Sequence, residues 1–232
     1  RRGTSNKNEI EQSIRYLEKA LDYEPEYIDA ILALASDHGV MYFLGFDRTD
    51  SRLALYKKYI ELGKKIVPNN PYVLEEEGFY HYRVFRDYDK AFELLEKANL
   101  NRSESFGLRA WALRRMGRWE ECVENILKSI ELNPKGGALY RELAGTYLSM
   151  SQFDNAKEAI EKSLELEPND YETHLYKAGW YFLRSFGDIE KSYIAYKDAE
   201  NQVGRGRFDW DLILVDIYAG DYEKAHERLN GI

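Results

Sequence analysis

Residues that could carry out catalysis or bind a metal are few and scattered along this sequence. Its single cysteine, Cys122, has no second thiolate with which to share a zinc ion, and no HExxH pattern occurs. The sequence therefore predicts no metal site and no cofactor. The four histidines are His38, His81, His174 and His226.

Motifs for phosphate binding and for paired-acid catalysis are not found in the sequence either. No GxGxxG or GxxxxGK[ST] pattern occurs, and GRGR at 204–207 is interpreted as a linker with two glycines. Most of the 41 acidic residues lie beside lysines, as in EAIEKSLELE, which is typical of solvated helix faces. No pair of acids can be singled out for glycosidase-type chemistry. We predict that the chain is not an enzyme.

Composition and charge narrow the class of protein further. The 232 residues are 44% hydrophobic, which is enough apolar surface to fold. Apolar stretches such as 40–44 are far shorter than the roughly 18 to 20 residues needed to cross a bilayer, so no membrane association is predicted. The net charge of -8 repels phosphate backbones and argues against nucleic acid as a partner. A single cysteine favours the cytoplasm.

A short sequence motif recurs along the chain and indicates the secondary-structure elements that could position a binding surface. KSIELNP at 128–134 returns as KSLELEP at 162–168, and KALDYEP at 19–25 is a third copy. The prolines that end helical stretches, Pro25, Pro68, Pro134 and Pro168, are separated by 43, 66 and 34 residues. The shortest separation, 34 residues, is taken as the length of one repeating unit. The other two separations fit one and two such units with insertions or deletions in their loops.

The segment 137–170 shows what one unit contains. Tyr140, Leu143, Ala144 and Tyr147 have helical spacing, and a second apolar stripe runs from Phe153 to Leu166. We therefore expect two helices in a hairpin, with Pro168 ending the second helix. Small residues are expected where paired helices approach within about 8 to 10 Å. They are Ala144, Ala156 and Ser163 here, and Ala110, Cys122 and Ser129 in the preceding unit.

These residues resemble the tetratricopeptide repeat, whose period is 34 residues and whose pattern is W-L-G-Y-A-F-P. The resemblance implies an all-α fold: a right-handed α-solenoid of tandem helical hairpins, about 13 helices in a single array. The predicted units are a half repeat at 8–25, a repeat at 28–70 with an inserted loop at 43–51, a shortened repeat at 71–102, well-matched repeats at 103–136 and 137–170, a repeat at 171–205 and a truncated repeat at 206–232.

Both ends and the inserted loop lead to further expectations. The incomplete repeats at the ends predict a segment of a longer protein, and ends without caps would also allow self-association. The inserted loop carries Phe43 and Phe46 beside charged residues. It is interpreted either as a functional loop or as a structural cover over the first hairpins.

The resemblance also implies a concave groove lined by the first helix of each repeat. By position in the repeat, the predicted groove residues are Tyr80, Arg83, Trp111, Arg114, Arg141, Gly145, Leu175, Gly179, Phe182 and Trp210. Arginines mixed with aromatic residues suit a peptide with acidic or aromatic side chains.

Each of these residues also has a purely structural interpretation. Arg114 lies near a helix end, where a cation is stabilised by the helix dipole. Trp111 and Trp210 would equally pack between repeats. Gly145 and Gly179 would allow close packing against a neighbouring first helix as well as close approach of a ligand backbone.

The predicted function is a non-catalytic scaffold that binds a partner peptide or helix in the groove of a tetratricopeptide superhelix. An alternative is the regulatory or sensor domain of a larger bacterial signalling protein. This alternative rests on a similarity of YIDAILALASDHG and KKIVPNN to repeat arrays of adenylate-cyclase-like and winged-helix regulators.

Overall fold

The structure, a computed structural model, describes residues 6–204 and 206–231. This part of the chain contains helices and no strands. It divides into two compact units, Arg1–Arg118 and Trp119–Ile232. Unit 1 contains α1 (Lys7–Tyr23), α2 (Ile28–Phe43), α3 (Asp50–Ile66), α4 (Pro71–Tyr80), α5 (Tyr88–Ala98) and α6 (Ser103–Arg115). Unit 2 contains α7 (Trp119–Leu132), α8 (Gly137–Ser149), α9 (Phe153–Leu166), α10 (Tyr171–Leu175), α11 (Ile189–Val203), α12 (Asp209–Tyr218) and α13 (Tyr222–Asn230).

Thirteen α-helices in the described ranges confirm the predicted all-α fold of helical hairpins. Two of the first helices continue beyond their α-helical part as π-helix. α4 continues as His81–Phe85 and α10 as Tyr176–Ser185, so each continuous helix has 15 residues. α6 and α8 have 13 residues each. The wider π turns take up the extra residues within the helix.

Helix starts follow ordinary capping chemistry. The side chain of Asn70 accepts a hydrogen bond from the backbone N–H of Tyr72, with Pro71 at the first helical position. The three second helices that follow an aspartate share one arrangement, in which the aspartate accepts a bond from the backbone of a lysine three residues later. These pairs are Asp87 with Lys90, Asp188 with Lys191, and Asp221 with Lys224.

The core of unit 1 lies where α1, α2 and α3 meet. Ile10 and Ile14 of α1 pack against Ile31 and Leu34 of α2 and against Tyr56 of α3, all of them buried. Burial of these apolar surfaces is the main contribution to the stability of the hairpins.

The core of unit 2 includes a cluster formed by the π segment with α11 and α12, centred on Leu183, Tyr196 and Phe208. The small residues predicted to sit between paired helices are buried, as expected: Ala110 in unit 1, and Cys122, Ser129, Ala144, Ala156 and Ser163 in unit 2. Cys122 lies 3.8 Å from the hydroxyl of Thr146.

Candidate interaction surface

Two of the predicted groove residues of unit 1 pack into their own unit. The ring of Tyr80 meets the buried ring of Tyr56 edge to face, with centroids 5.0 Å apart. The guanidinium of Arg83 lies over the ring of Phe79 at 4.2 Å and 5.6 Å from the ring of Phe43. These stacking contacts hold Arg83, which lies in the π segment, against α2.

Trp111 and Arg114 both lie on α6. Trp111 is partly buried against the cluster of Phe79, Leu95 and Leu108, so it contributes to packing within unit 1. Arg114 is also partly buried and lies in the last turn of α6, the position that the helix dipole favours for a cation.

Arg141 takes part in a polar network that joins α8 to the start of α10. Its Nη1 donates to both oxygens of Asp170, at 2.8 and 2.9 Å, and its Nε lies 3.1 Å from Glu172. Asp170 also accepts hydrogen bonds from the backbone N–H and the hydroxyl of Thr173. Burial acts to raise the pKa of Asp170, but the bonds from Thr173 and Arg141 outweigh it and lower the pKa. The guanidinium of Arg141 is thereby committed to this junction.

The junction between α4 and α6 uses the same three positions with the charges reversed. Glu75 is the fifth residue of its unit, as Arg141 is of its own, and its buried carboxylate pairs with Arg102, the residue before α6. Ser105 donates to Glu75 at 2.5 Å and accepts from Arg102 at 2.9 Å, in the place that Thr173 holds in unit 2.

Gly145 and Gly179 leave room for tyrosines. A Cβ at Gly145 would lie 2.8 Å from a ring carbon of Tyr176, which belongs to the next first helix. A Cβ at Gly179 would lie 2.5 Å from the hydroxyl of Tyr196 on α11. In both cases a neighbouring side chain fills the space that a larger residue would need.

The remaining predicted groove residues differ sharply in exposure. Leu175 and Phe182 are partly buried and pack against the core of unit 2. Trp210 on α12 is 66% exposed, the most exposed of the predicted groove residues that carry large apolar side chains. Leu214 and Ile217 follow it at i+4 and i+7, so the three side chains share one face of the helix. Leu214 is partly exposed and Ile217 is 43% exposed.

Two polar groups at and just before the start of α12 contact Tyr171. Asp211 accepts a hydrogen bond from the hydroxyl of Tyr171 at 3.4 Å, and burial raises the pKa of its carboxyl group. The guanidinium of Arg207 lies 5.4 Å from the ring centroid of Tyr171.

The inserted loop of unit 1 lies between α2, which ends at Phe43, and α3, which begins at Asp50. Phe46 packs against the core of unit 1. Asp47 pairs with Arg52 at 3.0 Å, and Arg52 reaches Nδ1 of the buried His38 at 2.7 Å. Burial, and next the positive charge of Arg52, lower the pKa of His38 to about 4. These contacts favour the structural interpretation of the loop.

Within the ranges that the structure describes, no group of three or more histidine, cysteine, aspartate or glutamate side chains has a metal-binding arrangement. In the same ranges no helix is both long enough and apolar enough to span a bilayer.

Comparison with known proteins gives one match in sequence and several in fold. The tetratricopeptide repeat family model matches residues 139–170. No curated protein matches the chain in sequence. Similar solved structures include PilF of Pseudomonas aeruginosa, which is 19% identical with a TM-score of 0.63 and 84% coverage of both chains. PilW, described as a widely conserved type IV pilus biogenesis factor, is 13% identical with a TM-score of 0.71, covering 86% of this chain and 89% of its own.

A third similar structure is YrrB, described as a TPR protein with an unusual peptide-binding site. It is 15% identical with a TM-score of 0.54, covering 88% of this chain and 97% of its own. At these identities the likenesses show the fold. Segment 139–170 therefore matches the tetratricopeptide repeat family in sequence, and the helical fold is similar to these solved structures over most of the chain.

Proposed function

We propose that this chain is a non-catalytic interaction module that binds a peptide segment of a partner protein on the exposed face of α12. The observation that carries the proposal is the row formed by Trp210, Leu214 and Ile217. This row places an exposed tryptophan beside two further apolar side chains on one first helix. Exposed apolar patches of this kind mark interaction sites.

Burial of the exposed face of α12 by a partner would release apolar surface from water and so favour binding. Covering a tryptophan that is 66% exposed, with isoleucine beside it, would contribute roughly 2 to 3 kcal/mol or more to binding. Tryptophan is also among the residues that dominate binding energy at interfaces. The occupant is expected to place an apolar or aromatic side chain against Trp210.

The wider setting supports a protein partner. Tetratricopeptide-repeat proteins are generally non-catalytic scaffolds, and YrrB is described as having a peptide-binding site. The net charge of -8 disfavours nucleic acid. A cytoplasmic setting, and the alternative role as a sensor domain of a signalling protein, stay predictions that the full reading frame would test.

Selection of peptide ligands by phage display on the whole chain tests the proposal. The affinity of a selected peptide is then measured against two variants with tryptophan removed. Trp210→Ala should weaken binding at least about tenfold, equivalent to about 1.4 kcal/mol. Trp180→Ala is the matched control, because Trp180 is also exposed, at 46%, but lies on the π segment that follows α10. Equal affinities for both variants would contradict the proposal.

A further inference from the structure

A second apolar groove lies in unit 2, between α11 and the pair α12 and α13. Its cavity of about 320 Å³ is lined by the apolar side chains of Ile189, Ile194, Val215 and Ala219. Ile194 is 51% exposed at its edge, whereas Val215 is buried. The volume is at the lower end of the range for ligand pockets and is sufficient for one or two apolar side chains.

This groove lies on the opposite side of α12 from Trp210. At about 100° per residue, Val215 and Ala219 are turned by roughly 140° and 180° from Trp210 around the helix. Leu214 and Ile217 lie within roughly 40° of Trp210. An occupant of the groove and an occupant of the Trp210 face would therefore use different sides of the same helix.

The basic residues around the groove are already neutralised. Lys224 lies 2.9 Å from the buried carboxylate of Asp216 and 4.6 Å from the ring centroid of Tyr193. Arg228 pairs with the second oxygen of Asp216, also at 2.9 Å. On α11, Lys191 pairs with Asp188 at 2.7 Å and Lys197 with Glu200 at 2.8 Å.

The acidic residues around the groove are in excess. Among the described residues, Glu190 and Asp221, which line the cavity, form no ion pair with a basic side chain. The same holds for Glu223 and Glu227 on α13. Tyr222 and His226 are the remaining titratable side chains of that helix. Unit 2 as a whole has 22 acidic and 13 basic residues, whereas unit 1 has 19 and 20, so the net negative charge of the chain lies in unit 2.

We infer that the groove between α11 and α12–α13 binds a basic segment of a partner protein that inserts an apolar side chain beside Ile194 and places lysine or arginine against Glu190 and Asp221. Charge complementarity selects this occupant. An acidic peptide or a phosphate backbone is repelled, and a second copy of unit 2 carries the same excess of negative charge.

The test uses a fluorescein-labelled peptide of about 14 residues, roughly four helical turns, with leucine and lysine in amphipathic order. One control peptide has alanine in place of leucine, and another has glutamate in place of lysine. Binding to the whole chain is measured by fluorescence polarisation. The chain should bind the lysine and leucine peptide at least about tenfold more tightly than either control peptide.

Two pairs of variants locate the binding. Ile194→Asn and Glu190→Lys should each weaken binding at least about tenfold. Leu132→Asn is the matched control for Ile194→Asn, because it removes an apolar side chain of similar exposure, 47%, from α7, outside the cavity. Glu227→Lys is the matched control for Glu190→Lys, because it changes the net charge equally but lies outside the cavity. Both controls should change the affinity by less than about twofold.

Three results would overturn the inference. Equal loss with Glu190→Lys and Glu227→Lys would show attraction to the acidic surface in general, and unchanged binding with Ile194→Asn would show that the groove is not used. Concentration-dependent dimerisation that Ile194→Asn abolishes would assign the groove to a second copy of the chain. Trp210→Ala should leave the affinity of this peptide unchanged, so the inference and the proposed function can fail separately.

Discussion

Arg141 donates from one guanidinium nitrogen to both carboxylate oxygens of Asp170, at 2.8 and 2.9 Å, and so joins one repeat to the next. Glu75 and Arg102 form the corresponding pair in unit 1 with acid and base exchanged. In each case a hydroxyl side chain from the following helix completes the network, Thr173 in one and Ser105 in the other. The geometry of the junction therefore accepts either polarity, provided that the two charges are opposite.

Removing the charge of Asp170 tests whether this junction stabilises unit 2. Asp170→Asn keeps a side-chain oxygen that can cap Thr173 but loses the ion pair with the partly buried Arg141, so the free energy of unfolding should fall by about 1 to 3 kcal/mol. Urea denaturation measures the change. Glu165→Gln, which removes an exposed partner of Lys162, is the control and should cost less than about 0.5 kcal/mol. Equal costs would mean that the junction contributes no more than a surface pair.

The effects of substitutions at Gly179 and Tyr196 on stability should depend on each other, because the hydroxyl oxygen of Tyr196 occupies the space beside Gly179. The Cβ of Gly179→Ala would lie 2.5 Å from the Tyr196 hydroxyl but 3.7 Å from the ring carbon that carries it. Gly179→Ala should therefore destabilise the wild-type chain by about 1 to 2 kcal/mol. In a Tyr196→Phe background the same change should be neutral or stabilising by up to about 1 kcal/mol, because alanine favours helix over glycine. Thermal unfolding of the wild type, the two single variants and the double variant measures this dependence. An equal loss of stability from Gly179→Ala in both backgrounds would refute it.

Gly145 provides a contrasting case with a different expected result. Its Cβ would meet a ring carbon of Tyr176 at 2.8 Å, closer than the hydroxyl at 3.2 Å. Gly145→Ala should therefore destabilise the chain by about 1 to 3 kcal/mol whether residue 176 is tyrosine or phenylalanine. Full relief in a Tyr176→Phe background, measured by the same unfolding experiment, would show that the ring carbon is not the obstacle.

His38 should make the stability of unit 1 depend on pH. Its pKa is about 4 in the folded chain, below the ordinary 6.5, because of burial and of the Arg52 cation that donates to Nδ1. Between these values the unfolded chain binds a proton that the folded chain does not, so the free energy of unfolding should fall as the pH drops from about 6.5 to about 4. The expected contribution is roughly 3 kcal/mol.

The measurement is the pH dependence of urea unfolding in the wild type compared with that in His38→Gln. The difference between the two curves should change across pH 6.5 to 4 and flatten below. Asp47, which pairs with Arg52, and Lys58 also act on His38, but both remain in the variant. If the free energy of unfolding of His38→Gln changes with pH in the same way as that of the wild type, His38 is not the source of this pH dependence.

Much of the fold could be predicted from the sequence because its determinants are local. Apolar spacing, the prolines and the small residues such as Ala144 and Ser163 act within one hairpin, and the structure confirms the hairpins and the burial of those residues. An aspartate followed three residues later by a lysine, in DYDK, DIEK and DYEK, is a further local signal that marks the starts of three second helices.

The candidate site was harder to predict from the sequence than the fold, since it depends on contacts between residues far apart in the chain. Arg141 has groove spacing, but Asp170, 29 residues later, occupies its guanidinium. Arg83 lies on a π segment, and π turns change which face a residue occupies, so spacing counted from an α-helix places it poorly. The exposure of Trp210 depends on what covers α12, which periodicity does not specify.

The central claim, that a peptide covers Trp210, is tested most directly by the fluorescence of Trp210 itself. A chain in which Trp111, Trp119 and Trp180 are replaced by phenylalanine keeps this tryptophan alone. Titration with a selected peptide should shift the emission of Trp210 to shorter wavelength. The shift should saturate, and the dissociation constant fitted to it should equal the one measured by calorimetry. Saturable heat of binding with no change in the emission of Trp210 would contradict the account.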